Sequence, residues 1–224
     1  MVAVCRVFSV IFLLVFIGSC SSDNEVTEQD FGYSYYPLSI GDYREYAVEE
    51  IVFLTMGPDT TRYFLREEVT DSLVSSDIAT YIFERSVRST SSDPWEIDSV
   101  WTTRITTGEA IQVENNVPIV KIQFPVVSDR TWDSNLFNTR DQAFYTSVLV
   151  PSDTLEDEVL KVIVADIPEN IVLKDQRSEF YAKNIGLISR DFETLNFCTS
   201  GCEEVMEIES GRVLKQNLID YGVK

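Results

Sequence analysis

The sequence predicts an all-β, antiparallel domain, built as a strongly curved sheet, an open barrel or a sandwich, and three observations predict it. Apolar and polar residues alternate with period two in run after run from residue 43 onward, as strands with one wet and one dry face require. Val, Ile, Thr, Tyr and Phe, the types that suit a pleated surface, recur throughout residues 35–224. No window of ten or more residues there carries an apolar stripe at helical spacing.

Taken in order, the segment Tyr35-Tyr36-Pro37-Leu38-Ser39-Ile40-Gly41 opens the domain and leads into an aromatic-rich strand through Tyr43 and Tyr46. Residues 63–69 set Tyr63, Leu65 and Val69 on one face, and 81–87 do the same with Tyr81, Phe83 and Val87. The clearest alternation, 95–105, places Trp95, Ile97, Trp101 and Ile105 on its dry side. Clusters of Gly, Pro, Asn, Asp and Ser at 56–60, 90–94, 107–108 and 114–118 separate these runs as turns. Later strands are expected at 119–124, 143–150, 159–165, 185–197 and 205–220. The last two form a hairpin through Cys198-Thr-Ser-Gly201-Cys202, a three-residue loop with Gly201 at its positive-φ place and the cysteines facing across the strand pair. Periodicity does not choose between barrel, sandwich and open curved sheet.

Ahead of the domain, residues 1–19 read as an export signal. One basic residue, Arg6, precedes an apolar run of about half the roughly 20 residues that a membrane-spanning helix needs, and a polar stretch follows directly. Ile17-Gly18-Ser19-Cys20 resembles the lipobox of lipoprotein precursors, so Cys20 is the expected site of lipidation and the membrane the expected partner. Two or more acyl chains hold a protein firmly where one holds it marginally. Residues 20–34 read as an acidic flexible tether, spanning on the order of 20 Å. Within it, Ser21-Ser22-Asp23-Asn24-Glu25 is either a signal for the outer face of the outer membrane or a plain solvated linker.

The formal charge is −19, and removing Arg6 with the signal makes the mature chain −20. Such a field repels polyanions, so nucleic acid is not an expected partner. Histidine is absent, which removes the commonest general base, the usual zinc ligand and every Ser-His or Cys-His nucleophile arrangement. With Cys5 in the signal and Cys20 lipidated, Cys198 and Cys202 are the thiols left in an oxidising compartment, where they are expected to pair. A metal site at this lone C-x3-C would want more soft ligands, and no cofactor is expected.

The opening motif has an echo at Phe124-Pro125-Val-Val-Ser128-Asp129-Arg-Thr-Trp132-Asp133, with the same order of proline, turn and aromatic. Either an internal duplication or two strand entrances of similar geometry accounts for it. With Tyr181-Ala182-Lys-Asn-Ile185-Gly186-Leu187 and the ending Leu218-Ile-Asp-Tyr221-Gly222, these segments resemble a family of uncharacterised Bacteroidota outer-membrane lipoproteins across nearly the whole mature chain. The resemblance implies a β domain behind a lipobox and carries no activity with it. In the second motif Ser128 or Asp129 stands where a turn glycine is often found.

The function expected from these features is that of a lipid-anchored envelope protein at the outer membrane or cell surface, acting as a non-catalytic binding or assembly component. A glycan, a lipid or another envelope protein is the candidate partner. Flat indole rings stack on sugars. Trp95 and Trp101 fall in dry-face patterns, which leaves Trp132, beside Asp133 and Asn135, as the ligand candidate. The alternative is a carboxylate-dependent glycan hydrolase, although the run Asp153-Thr-Leu-Glu156-Asp157-Glu158 reads most simply as a solvated loop. That run, or Asp133, Asn135, Asn138 and Asp141, could offer oxygen ligands to calcium, but neither has the regular spacing of a calcium loop.

Overall fold

The computed structural model describes residues 30–55, 57–75, 78–202, 204 and 206–224. The expected export signal, residues 1–19, and Cys20, the expected lipidation site, lie outside the described residues. Strands β1 (Asp42–Leu54), β2 (Gly57–Ser75), β3 (Ile78–Arg88), β4 (Glu96–Ile105), β5 (Glu109–Glu114) and β6 (Val117–Gln123) follow one another as a meander. So do β7 (Arg130–Asp133), β8 (Phe144–Val150), β9 (Val159–Ile167), β10 (Leu173–Ala182), β11 (Gly186–Phe197) and β12 (Ile208–Val223). β12 then pairs with β1, giving one 12-stranded antiparallel sheet that runs from β6 at one edge to β7 at the other.

The two edges meet, so the sheet is nearly closed into a barrel. Val120 N–H of β6 donates to Ser134 O just after β7, at 2.9 Å. Side chains complete the seam: the Trp132 indole N–H donates to Val120 O at 2.9 Å, and the Asn138 amide to Pro118 O at 2.8 Å. Edge groups that would otherwise invite another strand are satisfied this way. In a closed twelve-strand meander β1 and β7 stand half a circuit apart, and each is entered by one of the two echoing motifs. Gly41 (φ 93°) and Asp129 (φ 61°) both take the left-handed conformation at those entrances. Asp129 therefore fills the place of the turn glycine, which aspartate tolerates better than most residues.

Strand directions alternate, so the connections sort to two ends. Residues 30–41 cross the end at which β1 begins, together with the β2–β3, β4–β5, β6–β7, β8–β9 and β10–β11 connections and the C-terminus. We call this the entry end and the opposite one the far end. A 3-10 turn, Tyr33–Tyr35, lies across the entry end. The Tyr33 hydroxyl donates to Thr107 O, that of Tyr35 to Glu158 O, Asn184 N–H to Ser34 O and Val126 N–H to Phe31 O. Asp30 pairs with Lys183 at 3.0 Å. Residues 30–34, counted with the tether on composition, are thus bonded to the domain at four points, through Asp30, Phe31, Tyr33 and Ser34.

Alternation holds where the sequence shows it most plainly. Leu65 and Val69 of β2 and Phe83 of β3 are buried, and Tyr63, Tyr81 and Val87 are half-buried beside them. In β4 the expected phase fails part-way. Arg85 faces Ser99 and Ser86 faces Ile97, leaving Asp98 as the extra residue of a bulge. Beyond it Trp101 and Ile105 point inward as expected, while Ile97 is 65% exposed. Trp95 lies on the outer face, its ring between the guanidinium groups of Arg66 (4.6 Å) and Arg88 (4.2 Å). Both arginines pair with Glu45 on that face, and the indole adds cation–π attraction to the pairing.

The β11–β12 hairpin forms, but with different ends. The ladder stops at Phe197 opposite Ile208, and Cys198 N–H donates to Glu207 O. The Cys198–Cys202 disulfide, with Cα atoms 5.9 Å apart, therefore closes a turn within the 198–207 connection and does not bridge the strand pair. Gly201 has the expected positive φ, 75°.

Candidate functional site

The interior is filled by two kinds of side chain. Tyr35, Tyr36, Val120, Ile122, Phe124, Trp132, Leu160 and Val162 form an apolar core towards the entry end and the seam. Through its middle runs a buried polar cluster. Glu179 Oε1 accepts from Lys121 Nζ (2.7 Å), Arg190 Nε (3.0 Å) and Nη2 (2.9 Å), while Glu179 Oε2 accepts from the Tyr181 hydroxyl (2.6 Å). Lys121 reaches Glu114 as well, at 3.3 Å. Burial pushes the Glu179 carboxyl up, yet Lys121, Arg190 and the hydrogen bonds outweigh it and hold the group down to about 2. Glu179 is 1% exposed, so this cluster ties β5 and β6 to β10 and β11 and offers no access to a substrate.

Among the hollows of the described residues that open to solvent, two lie at opposite ends of the barrel. At the entry end a groove of about 690 Å3 lies between the incoming chain (Tyr33, Tyr36, Leu38), the start of β3 (Ile78, Tyr81) and the end of β4 (Ile105, Thr107). The first turn sets one wall: Gly32, in the left-handed region at φ 80°, turns the chain tightly against Val126. Tyr33 packs edge-on to Phe124 at 4.6 Å and parallel to Phe31 at 5.6 Å. Tyr36, almost fully buried, forms the floor near Tyr181. Burial pushes its hydroxyl up to about 12, with Lys121 acting against the shift, so near neutral pH it is an uncharged polar group. None of the eleven lining residues carries a charge.

No protein-family model matches the sequence, and no curated protein matches it. In structure the chain is similar to a Bacteroides fragilis protein described as a "putative exported protein with YmcC-like fold". The two share 12% sequence identity with a TM-score of 0.41, over 83% of this chain and 97% of that one.

At the far end a cleft of about 480 Å3 is lined by Tyr63, Leu65 and Val87 from the inner face and by Asp93, Glu96, Asp98, Arg85 and Arg88 around them. Arg85 is engaged with Glu67 (3.1 Å) and Asp98 (3.7 Å) and stacks over Trp101 at 3.9 Å. Arg88 is engaged with Glu45 at 3.4 Å. Its arginines are already paired, Asp98 is one of their partners and Asp93 accepts from Thr90, so the cleft has a polar lining of engaged charges with no arginine left for an anion.

The tryptophan singled out as a ligand candidate is not placed for that role. Trp132 is 5% exposed, packs edge-on to Tyr145 at 6.2 Å and spends its N–H on Val120 O. No ring face is left for a sugar, and its work is to close the seam. Its neighbours Asp133, Asn135, Asn138 and Asp141 are brought together, but they bond to one another and to the 134–143 loop. The run from Asp153 to Glu158 is a loop at the entry end, where Asp157 lies 3.5 Å from Lys183. Among the described residues no group of three or more Cys, Asp or Glu side chains is placed to hold a metal ion. The entry-end groove was missed in the sequence because its lining comes from three separate segments whose tyrosines also fit a core pattern.

Proposed function

We propose that this protein is a lipid-anchored component of the cell envelope, held at the outer membrane through Cys20, and that its domain binds a ligand at the entry end. The observation that carries this reading is where the chain enters. Residues 30–36 lie across one end of the barrel and form a wall of its larger hollow. The lipobox cysteine stands ten residues before Asp30, and ten residues reach at most about 35 Å when fully extended. An anchor at Cys20 therefore presents the entry end to the bilayer and turns the far end, with its acidic cleft, away from it. The serine-then-acidic run after Cys20 fits a signal for the outer face of that membrane and a plain solvated linker equally.

Growth with an alkyne-bearing palmitate tests the anchor. The wild-type protein is expected to take up the label and to sediment with outer membranes. Cys20→Ala should abolish labelling and leave the signal uncut, giving a heavier protein that no longer sediments with outer membranes. Labelling that survives Cys20→Ala would refute lipidation at this site, and protease shaving of intact cells separates a surface from a periplasmic orientation.

A further inference from the structure

We propose that the entry-end groove is a lipid-binding site that takes an acyl chain of a membrane phospholipid; the inference rests on the anchor reading above for the direction in which the groove faces. In a chain with a quarter of its residues charged, eleven lining positions without one charge mark a place kept for an uncharged ligand. The far-end cleft, smaller and ringed by five charged side chains, shows the contrast within one molecule. Leu38, Ile78 and Ile105 supply aliphatic walls. The rings of Tyr33, Tyr36 and Tyr81 add apolar area with polar tips, the combination favoured where hydrocarbon meets water. The volume falls in the range of small-molecule sites, roughly 300–1,000 Å3.

A second, independent feature lies at the same end. Leu73 and Val74, at the close of β2, and Ile78, at the start of β3, are 61%, 73% and 44% exposed. The far end carries an exposed apolar group too, Ile167, Ile171 and Val172 (46%, 74% and 47%), so what sets this hairpin apart is its continuity with the groove and not exposure alone. Ile78 belongs both to this tip and to the groove wall, so the path from bilayer to groove is continuous. The occupant is a separate lipid and not the protein's own acyl chain, because withdrawing an anchor chain from the bilayer weakens an attachment that depends on more than one.

The test uses the mature lipoprotein, reconstituted into phosphatidylethanolamine and phosphatidylcholine vesicles with a trace of phosphatidylcholine bearing a photoreactive diazirine at the end of one acyl chain. After irradiation and digestion, the adducts are expected on the peptides carrying Tyr81 and Ile105. Ala79→Trp, which fills the groove from its wall, should lower them at least fivefold without changing the melting temperature. Thr107→Asp, at an exposed rim position, brings a charge to the groove and should lower them likewise if Ala79→Trp does not fold. Adducts confined to the residues next to Cys20, spread equally over both ends of the barrel, or unchanged in a folded groove variant would overturn the proposal. Palmitate labelling of the same preparation keeps the two readings apart: label without groove adducts defeats the acyl-chain site alone, and groove adducts without label defeat the anchor alone.

Discussion

Glu179 keeps its charge at 1% exposure, where an isolated carboxylate would take up a proton. It does so because both carboxylate oxygens are saturated, by Lys121, Arg190 and Tyr181. Removing one partner of such a cluster leaves the others buried and uncompensated, which costs about 3–5 kcal/mol. Glu179→Gln is therefore expected to lower the unfolding free energy measured by urea denaturation by about 3–5 kcal/mol, and a change under about 1 kcal/mol would mean that water reaches the cluster. The pH dependence follows from the direction of the shift. The folded pKa, about 2, lies below the ordinary 4.5, so the contribution is complete above pH 4.5 and is lost as pH falls through about 2. Chemical denaturation between pH 5 and 2 should show that loss in the wild type and lack it in Glu179→Gln. The same residue shows a limit of legibility: Asp175, Arg177 and Glu179 occupy the inward positions of β10, so the strand lacks an apolar stripe and its period cannot be seen. Trp132 shows another, since an indole beside polar residues reads alike whether its N–H faces a ligand or, as here, a carbonyl across a seam.

Elements with one dry face were legible, and those that depart from the period were not. β2 and β3 alternate cleanly and were placed. β5 and β7 are short, and β4 carries the bulge at Asp98 that turns Ile97 outward. Bulges come from pairing with a neighbour, which a single strand's sequence does not record. The β11–β12 connection makes the point energetically. A bridge spanning so few residues removes little entropy from the unfolded chain, about 2 kcal/mol in the loop-closure model. Because Cys198 and Cys202 sit within the connection and the ladder already ends at Phe197 and Ile208, reduction has no strand register to release. The expected outcome of Cys198→Ser with Cys202→Ser is a loss of no more than about 2 kcal/mol, with amide exchange slowed as before in β11 and β12. Faster exchange along both strands would show that the bridge sets their register after all.

For the whole molecule the sequence indicated an antiparallel β domain but not its closure, because closure rests on contacts between β6 and β7, edges brought together only after eleven strand pairings. Its charge is easier to reason from. A chain of −19 has its central ion pairs buried, where salt screens them little, and most of its unbalanced acid on the outside, where salt screens repulsion over about 10 Å at 0.1 M. Exposed contact pairs such as Arg62–Glu49 contribute at most about 1 kcal/mol each and weaken in salt. With acidic side chains outnumbering basic ones 37 to 18, the repulsive sum is the larger, and self-repulsion destabilises the compact state. Raising sodium chloride from about 10 to 300 mM should thus stabilise the protein by about 1 kcal/mol and lift its melting temperature by about 2–4 °C. A fall over the same range would show that exposed pairs outweigh the net charge, and a larger rise for Lys121→Met would show that the buried cation offsets part of the acidic field.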